Sequence, residues 1–401
     1  MNLFFSVGEP SGDLHAANLI AQLRRHKPAL RAVGLGGRKM AAAGCDLLHD
    51  MTDLAVMGIF PVLTRLPVFF RLLAMTDRYL AEARPDAVVL VDYPGFNWHV
   101  ARKAKARGIP VIYYGLPQMW AWAPWRVSKV RKYVDHALCK LPFEEKWFRD
   151  RGCNATYVGH PYFDELRDHV PNAAFVSEQK SRCGRLVTIL PGSRTHEVQN
   201  NLPSFLTAAQ KIVREISDVR FAIASYNDGQ AKLARQMIAG SRLPIEIHVG
   251  RTAELIDLAT CCLACSGSVS LELLYHARPA VIHYKASPLT AAIFRPFILV
   301  KYITLVNLLA ADELYPADLR RYDPNLPGNE KVLLPEYPTW TDKSVALARH
   351  CIEWLSDEAQ RQSLIRRLEA LRDRVAAGGA SQRAAEYILR HLPPNPLRQV
   401  A

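Results

Sequence analysis

The chain has 401 residues, 49% of them apolar and 22% charged, which excludes a disordered or fibrous chain and makes two domains the first expectation. Its formal net charge of +13 favours anionic partners, and with no recognised nucleic-acid module in the sequence those are expected to be a phosphorylated molecule or an anionic membrane surface, with no nucleic acid. Eight scattered cysteines exclude a dense disulfide framework, and the N-terminus enters an apolar strand without the features of a signal peptide, so a cytoplasmic setting is expected.

Leu3–Val7 reads as a strand and Asp13–His26 as a helix, joined by Gly8-Glu9-Pro10-Ser11-Gly12-Asp13. Glycines there permit close approach, Ser11 or Asp13 can cap the helix, and the first amides can receive an anionic or polar ligand; a plain tight turn fits equally well. The spacing is not that of a dinucleotide fingerprint. Ala87–Val91 repeats the pattern: Asp92 ends the strand, a Pro-Gly turn follows, and Asn97–Arg107 is helical. Asp92 either takes a proton from an attacking hydroxyl or fixes the turn. Between Ile109 and Trp125 an uncharged stretch is broken by Pro110, Pro117 and Pro124, which excludes a continuous membrane-spanning helix; Val111–Tyr114 and Ala137–Leu141 read as strands.

A break is expected over Phe163–Arg185, where polar residues replace the apolar periodicity. Leu186–Leu190 then opens a second series, with strands at Arg220–Ala224, Ile245–Val249, Cys262–Cys265 and Ala280–Tyr284 and helices at Leu202–Ile216 and Val269–His276. Gly192, Ser193 and Arg194 after its first strand have phosphate-binding chemistry: accessible amides beside a permanent charge, unless Arg194 is simply a surface residue. Ser266-Gly267-Ser268 and Glu272 suit a nucleotide's phosphate and ribose hydroxyls, or a capped helix with a solvated Glu. Cys262 and Cys265 have the spacing of half a zinc site without a second pair, and read as buried core; no metal or other cofactor is expected. A Pro- and Asn-rich stretch at Tyr322–Pro338 precedes helical periodicity from Lys343 to Arg390. Alternating strands and helices in two series give an α/β protein with two parallel sheets and an interdomain cleft. The expected domains are 1–170, 185–345 and a helical segment, 346–401. Two apolar-basic stretches, Phe60–Leu73 and Phe294–Tyr302, suit either lipid contact or ordinary packing.

Taken in order, these loops resemble the lipid-A-disaccharide synthase family, glycosyltransferase family 19. The likeness extends through Ala55-Val56-Met57-Gly58-Ile59, Pro117-Gln118-Met119-Trp120-Ala121-Trp122, Leu141-Pro142-Phe143-Glu144, Val158-Gly159-His160-Pro161, Tyr284–Thr290 and Asn307-Leu308-Leu309-Ala310. The resemblance implies a GT-B fold of two Rossmann-like domains, with the final helices packing back on the first domain or exchanged in a homodimer. It implies an inverting hexosyltransferase that joins UDP-2,3-diacylglucosamine to 2,3-diacylglucosamine 1-phosphate (lipid X), giving a β-1,6 disaccharide phosphate and UDP at the inner membrane's cytoplasmic face. By motif, Asp92 matches the essential carboxylate, as base or positioner. Arg194 and Asn307 match residues contacting UDP; Gly192, Ser193, Ser266, Gly267, Ser268 and Glu272 line the nucleotide loops, and Glu9, Ser11, Gly12 and Asp13 face them from the first domain. Ala311-Asp312-Glu313 departs from the family's usual Gly-Arg-Glu and removes a positive charge. That departure leaves open a UDP-GlcNAc-type transferase or epimerase, or a noncatalytic binding protein.

Overall fold

The structure, a computed structural model, describes residues 1–51, 59–289, 292 and 295–392, with the backbone alone for 59–65. It divides into two units, Met1–Asp164 with Gly378–Ala401, and Glu165–Ala377.

The first unit holds a seven-stranded parallel sheet in the order β3-β2-β1-β4-β5-β6-β7. Its strands are β1 Asn2–Val7, β2 Arg31–Gly36, β3 Cys45–Asp50, β4 Ala87–Val91, β5 Val111–Tyr114, β6 His136–Cys139 and β7 Ala155–Tyr157. Every residue of β1 and β4 is buried, the pattern of central strands covered on both faces. The register aligns the strand ends: Val7 lies opposite Val91, Val91 opposite Tyr114, and Tyr114 opposite Leu138. The segments after β1, β4, β5 and β6 therefore leave the carboxyl edge side by side.

The Ala380–His391 helix returns to this unit, burying Ala384, Ala385 and Ile388 in one cluster with Leu3, Phe5, Leu19 and Leu23. Asp164 secures its start by accepting from the backbone N–H groups of Gly379, Ala380 and Ser381. These donors have no partner inside the helix, and the carboxylate meets the positive end of its dipole.

The second unit holds a six-stranded parallel sheet, β10-β9-β8-β11-β12-β13. Here β8 is Arg185–Leu190, β9 Val219–Ser225, β10 Ile245–Val249, β11 Cys261–Cys265, β12 Ala280–Lys285 and β13 Glu336–Thr339. Cys262 and Cys265 sit buried on β11. The Thr195–Glu215 helix starts seven residues before the expected Leu202 and runs through Pro203, burying Leu202, Phe205, Ala208 and Ile212 along one face. The stretch expected as a break, 163–185, takes in most of the Tyr162–Asp168 helix and all of the Ala173–Ser181 helix, and the units part between Asp164 and Glu165. The segment 346–401 divides: Ser344–Ser356 and Glu358–Val375 stay with the second unit, and only the last helix joins the first. Among the described residues no helix is long and apolar enough to cross a membrane.

Candidate active site

In the first unit the turn after β4 is built around backbone that L-residues rarely adopt. Asp92 and Tyr93 both have φ of 44°, a left-handed conformation costing about 1–2 kcal/mol per residue. Side chains hold it in place. The Asp92 carbonyl accepts from the Asn97 amide at 2.8 Å and the Tyr113 hydroxyl at 2.7 Å. The same amide reaches Ser6 and Val91 carbonyls, while the Asn97 oxygen accepts from the Ser6 hydroxyl at 2.7 Å. The Tyr93 ring stacks on Phe69, with centroids 6.3 Å apart.

The Asp92 side chain is half-buried, with Oδ1 2.9 Å from Lys140 Nζ, and Oδ2 accepts no hydrogen bond among the described residues. Burial pulls the Lys140 ammonium down, but the carboxylates of Asp92, Glu144 and Glu9 outweigh it and hold Lys140 above the usual lysine range. His160 nearby is pushed well below the usual histidine range by burial, then by Lys140 and His15. It stays neutral at physiological pH.

Glu9 flanks the start of the Pro10–His26 helix, and Ser11, Gly12 and Asp13 form its first turn. Ser11 is exposed and Gly12 is buried beside Val7. Asp13 is occupied elsewhere: it accepts from the backbone N–H groups of Gly37, Lys39 and Met40, capping the Arg38–Ala42 helix rather than its own.

The second unit gathers the other two loops. Pairing of Leu190 with Ala264 and of Cys265 with His283 puts the ends of β8, β11 and β12 together. Asn201 ties them further, donating to the Glu197 carbonyl and to Cys265 Sγ at 3.3 Å and accepting from the Lys285 N–H at 3.0 Å. Glu197 folds back from the first helical turn, and its Oε2 accepts from the backbone N–H groups of Ser193 and Arg194 at 3.0 and 3.1 Å. Its Oε1 lies 3.1 Å from the Arg194 guanidinium, itself half exposed. Gly192, at φ 125°, is required: a Cβ there would stand 2.4 Å from Glu197 Cβ. One carboxylate thus occupies both amides and the cation that the sequence offers to phosphate.

Ser266, Gly267 and Ser268 form the accessible turn after β11, and Glu272 is buried one turn into the Val269–Tyr275 helix. Asn307 is buried, and its side chain is engaged by Leu334 and Glu336: the amide donates to the Leu334 carbonyl and Glu336 Oε2, and the oxygen accepts from the Leu334 N–H. Sequence reasoning missed Lys140, Tyr113 and Glu197. Only Glu197 had a signal, a carboxylate three residues after the helix cap. Ala55–Gly58, Thr290 and Phe294 lie outside the described residues. Among those described, no group of three or more His, Cys, Asp or Glu side chains is arranged to hold a metal ion.

The sequence profile of the family described as Lipid-A-disaccharide synthetase matches residues 3–363. A lipid-A-disaccharide synthase of Myxococcus xanthus (strain DK1622) is 34% identical over 391 residues, covering 97% of each chain. Among solved structures, UDP-GlcNAc 2-epimerase from Neisseria meningitidis bound to UDP-GlcNAc superposes with a TM-score of 0.60 at 11% identity, over 98% of this chain and 100% of that one. The kitacinnamycin glycosyltransferase gives 0.56 at 17% identity, over 98% and 99%. At these identities the structural likeness concerns the fold, two parallel-sheet α/β units of the GT-B kind.

Proposed function

The chain belongs to the lipid-A-disaccharide synthetase family, and from that premise we propose that it transfers 2,3-diacylglucosamine from its UDP derivative to 2,3-diacylglucosamine 1-phosphate. The protein is a glycosyltransferase of lipid A disaccharide synthesis; the choice of substrates and the inversion at the anomeric carbon are the proposed part. The observation that carries the reading is that the family match runs through every loop at the carboxyl ends of both sheets, from Asp92 to Arg194 and Glu272.

In the proposed reaction the acceptor's 6-hydroxyl attacks the anomeric carbon as the bond to diphosphate breaks, and UDP leaves with the electron pair. Asp92 accepts the hydrogen bond of the attacking hydroxyl, and finally its proton. Arg194 and the turn at Gly192 and Ser193 meet the growing charge on the diphosphate, displacing Glu197. Ser266–Ser268 and Glu272 serve the nucleotide, and Glu9, Ser11 and Gly12 line the Asp92 side. For Asp13 and Asn307 the proposed role is indirect, since the hydrogen bonds of both side chains position other backbone.

Exposed Leu66 and Phe70 on the Ile59–Ala83 helix, and Phe297 and Ile298 beside Arg295, support contact with acyl chains and an anionic inner-leaflet surface. The likeness to UDP-GlcNAc epimerases is one of fold and does not favour that activity. UDP release tests the choice: rapid release with the diacylated donor and acceptor, and none with UDP-GlcNAc, is expected. Equal turnover of the unacylated donor would overturn it.

A further inference from the structure

We propose that Lys140 is a positioning residue that anchors Asp92 by Oδ1 and so reserves Oδ2 for the acceptor hydroxyl. The inference rests on the glycosyl-transfer reading above and deepens it, because it assigns separate tasks to the two oxygens of one carboxylate.

The placement follows from the sheet. Lys140 stands immediately after β6, two strands from Asp92, so its side chain must cross the carboxyl end of β5 to reach the carboxylate. Gly115, the first residue after β5, makes that crossing possible. A Cβ at Gly115 would lie 2.9 Å from Lys140 Cε and 3.0 Å from Cδ and Nζ. The backbone of Lys140 is fixed as well, its N–H donating to Glu144 Oε2 at 3.0 Å. Only 17% of the Lys140 side chain and 23% of the Asp92 side chain are exposed, so the pair is more strongly coupled than an ion pair in open solvent.

With Oδ1 taken, Oδ2 faces the first turn of the Pro10–His26 helix, 3.9 Å from where a Cβ of Gly12 would stand. That oxygen is the one a substrate can use. A carboxylate oxygen only accepts, so the hydroxyl of an acceptor can donate to it. Lys140, 2.9 Å from Oδ1, holds the carboxylate in one orientation. It also fixes which lone pairs face the acceptor. In the transfer step the acceptor oxygen bonds to the anomeric carbon, the bond from that carbon to the diphosphate oxygen breaks and UDP leaves with its electron pair, and the acceptor's O–H proton comes to rest on Oδ2. Lys140 keeps its own proton throughout and acts only through Asp92.

The test compares wild type, Lys140→Met and Lys140→Arg by kcat and KM and by the NMR resonance of the Asp92 side-chain carbon at one fixed pH, assigned with Asp92→Asn. Lys140→Met is expected to lower kcat about 10–100-fold with KM for the donor little changed, and to shift and broaden the Asp92 resonance as the carboxylate loses its single orientation. Lys140→Arg is expected to restore most of both. If Lys140→Met does not melt as a native protein, Lys140→Gln takes its place. An unchanged Asp92 resonance in the neutral variant overturns the inference whether or not the protein is active. Absence of turnover in wild type overturns the functional reading alone.

Discussion

In the first unit a lysine takes one oxygen of Asp92 and leaves the other open; in the second, Glu197 takes the guanidinium of Arg194 and both amides of the turn beside it. One loop is ready for a hydroxyl as it stands. The other is complete without a ligand, and in the proposed reaction the diphosphate displaces a carboxylate of its own sign. The same strand-turn-helix unit can thus present a functional group or satisfy it internally, depending on where the neighbouring counter-charge is anchored. Lys140 comes from a strand two places away, whereas Glu197 comes from the same helix and reaches back one turn.

The largest effect is expected from Asp92→Ala. Turnover is expected to fall about 10³-fold, with a thermal midpoint close to wild type; a loss below tenfold would remove Asp92 from the reaction. Next is Arg194→Ala, with kcat expected to fall about 10²-fold and UDP binding, by calorimetry, to weaken. Unchanged UDP affinity would count against the second loop as the diphosphate side.

A third prediction concerns the packing behind that loop. Burial, and then Lys285, push His283 down from 6.5 to about 4, with Asp342 partly opposing them, and among the described residues neither ring nitrogen has a hydrogen-bond partner. The unfolded chain therefore binds the proton more readily than the folded one. Stability is full above the unfolded value of about 6.5 and is lost as pH falls toward 4, by about 2 kcal/mol at pH 5. In urea melts of the whole chain, His283→Phe should shrink the difference between pH 7 and pH 5 by that amount. An unchanged difference would show that His283 is protonated at pH 5 in the folded protein.

The smallest effect sharpens the contrast. Glu197→Gln keeps the shape of the cap and removes the competing charge, so UDP should bind about fivefold tighter at low salt, with the gain shrinking as salt rises. Weaker binding would make Glu197 a support for Arg194 rather than an occupant of the anion position.

Much of the fold was legible because central strands are continuous apolar runs: Ala87–Val91 and Leu186–Leu190 announce themselves. The strands not foreseen are β2, β3, β7 and β13, and three of these are sheet edges. Cys45–Asp50 carries Asp46, His49 and Asp50, and Glu336–Thr339 contains Pro338, a residue that edge strands tolerate and central ones do not. Arg31–Gly36 is interrupted by glycine, which weakens the periodic signal. For the site, the positions of Asp92 and Arg194 could be read because Asp92 directly follows an apolar strand and Arg194 stands in the short turn after one. Lys140 could not, since it lies 48 residues from Asp92 in a segment expected to continue as strand to Leu141, whereas β6 ends at Cys139. The engagement of Asp13 and Asn307 was equally hidden. Asp13 is held by backbone N–H groups and Asn307 by the Leu334 backbone and the distant Glu336 carboxylate, none of which the local sequence marks.

The most direct test is to incubate the purified protein with UDP-2,3-diacylglucosamine and 2,3-diacylglucosamine 1-phosphate and to look for the product by mass spectrometry. The account predicts a β-1,6-linked disaccharide 1-phosphate that is absent with Asp92→Ala. Folded protein that binds UDP yet forms no disaccharide, or forms it equally well without Asp92, would contradict it.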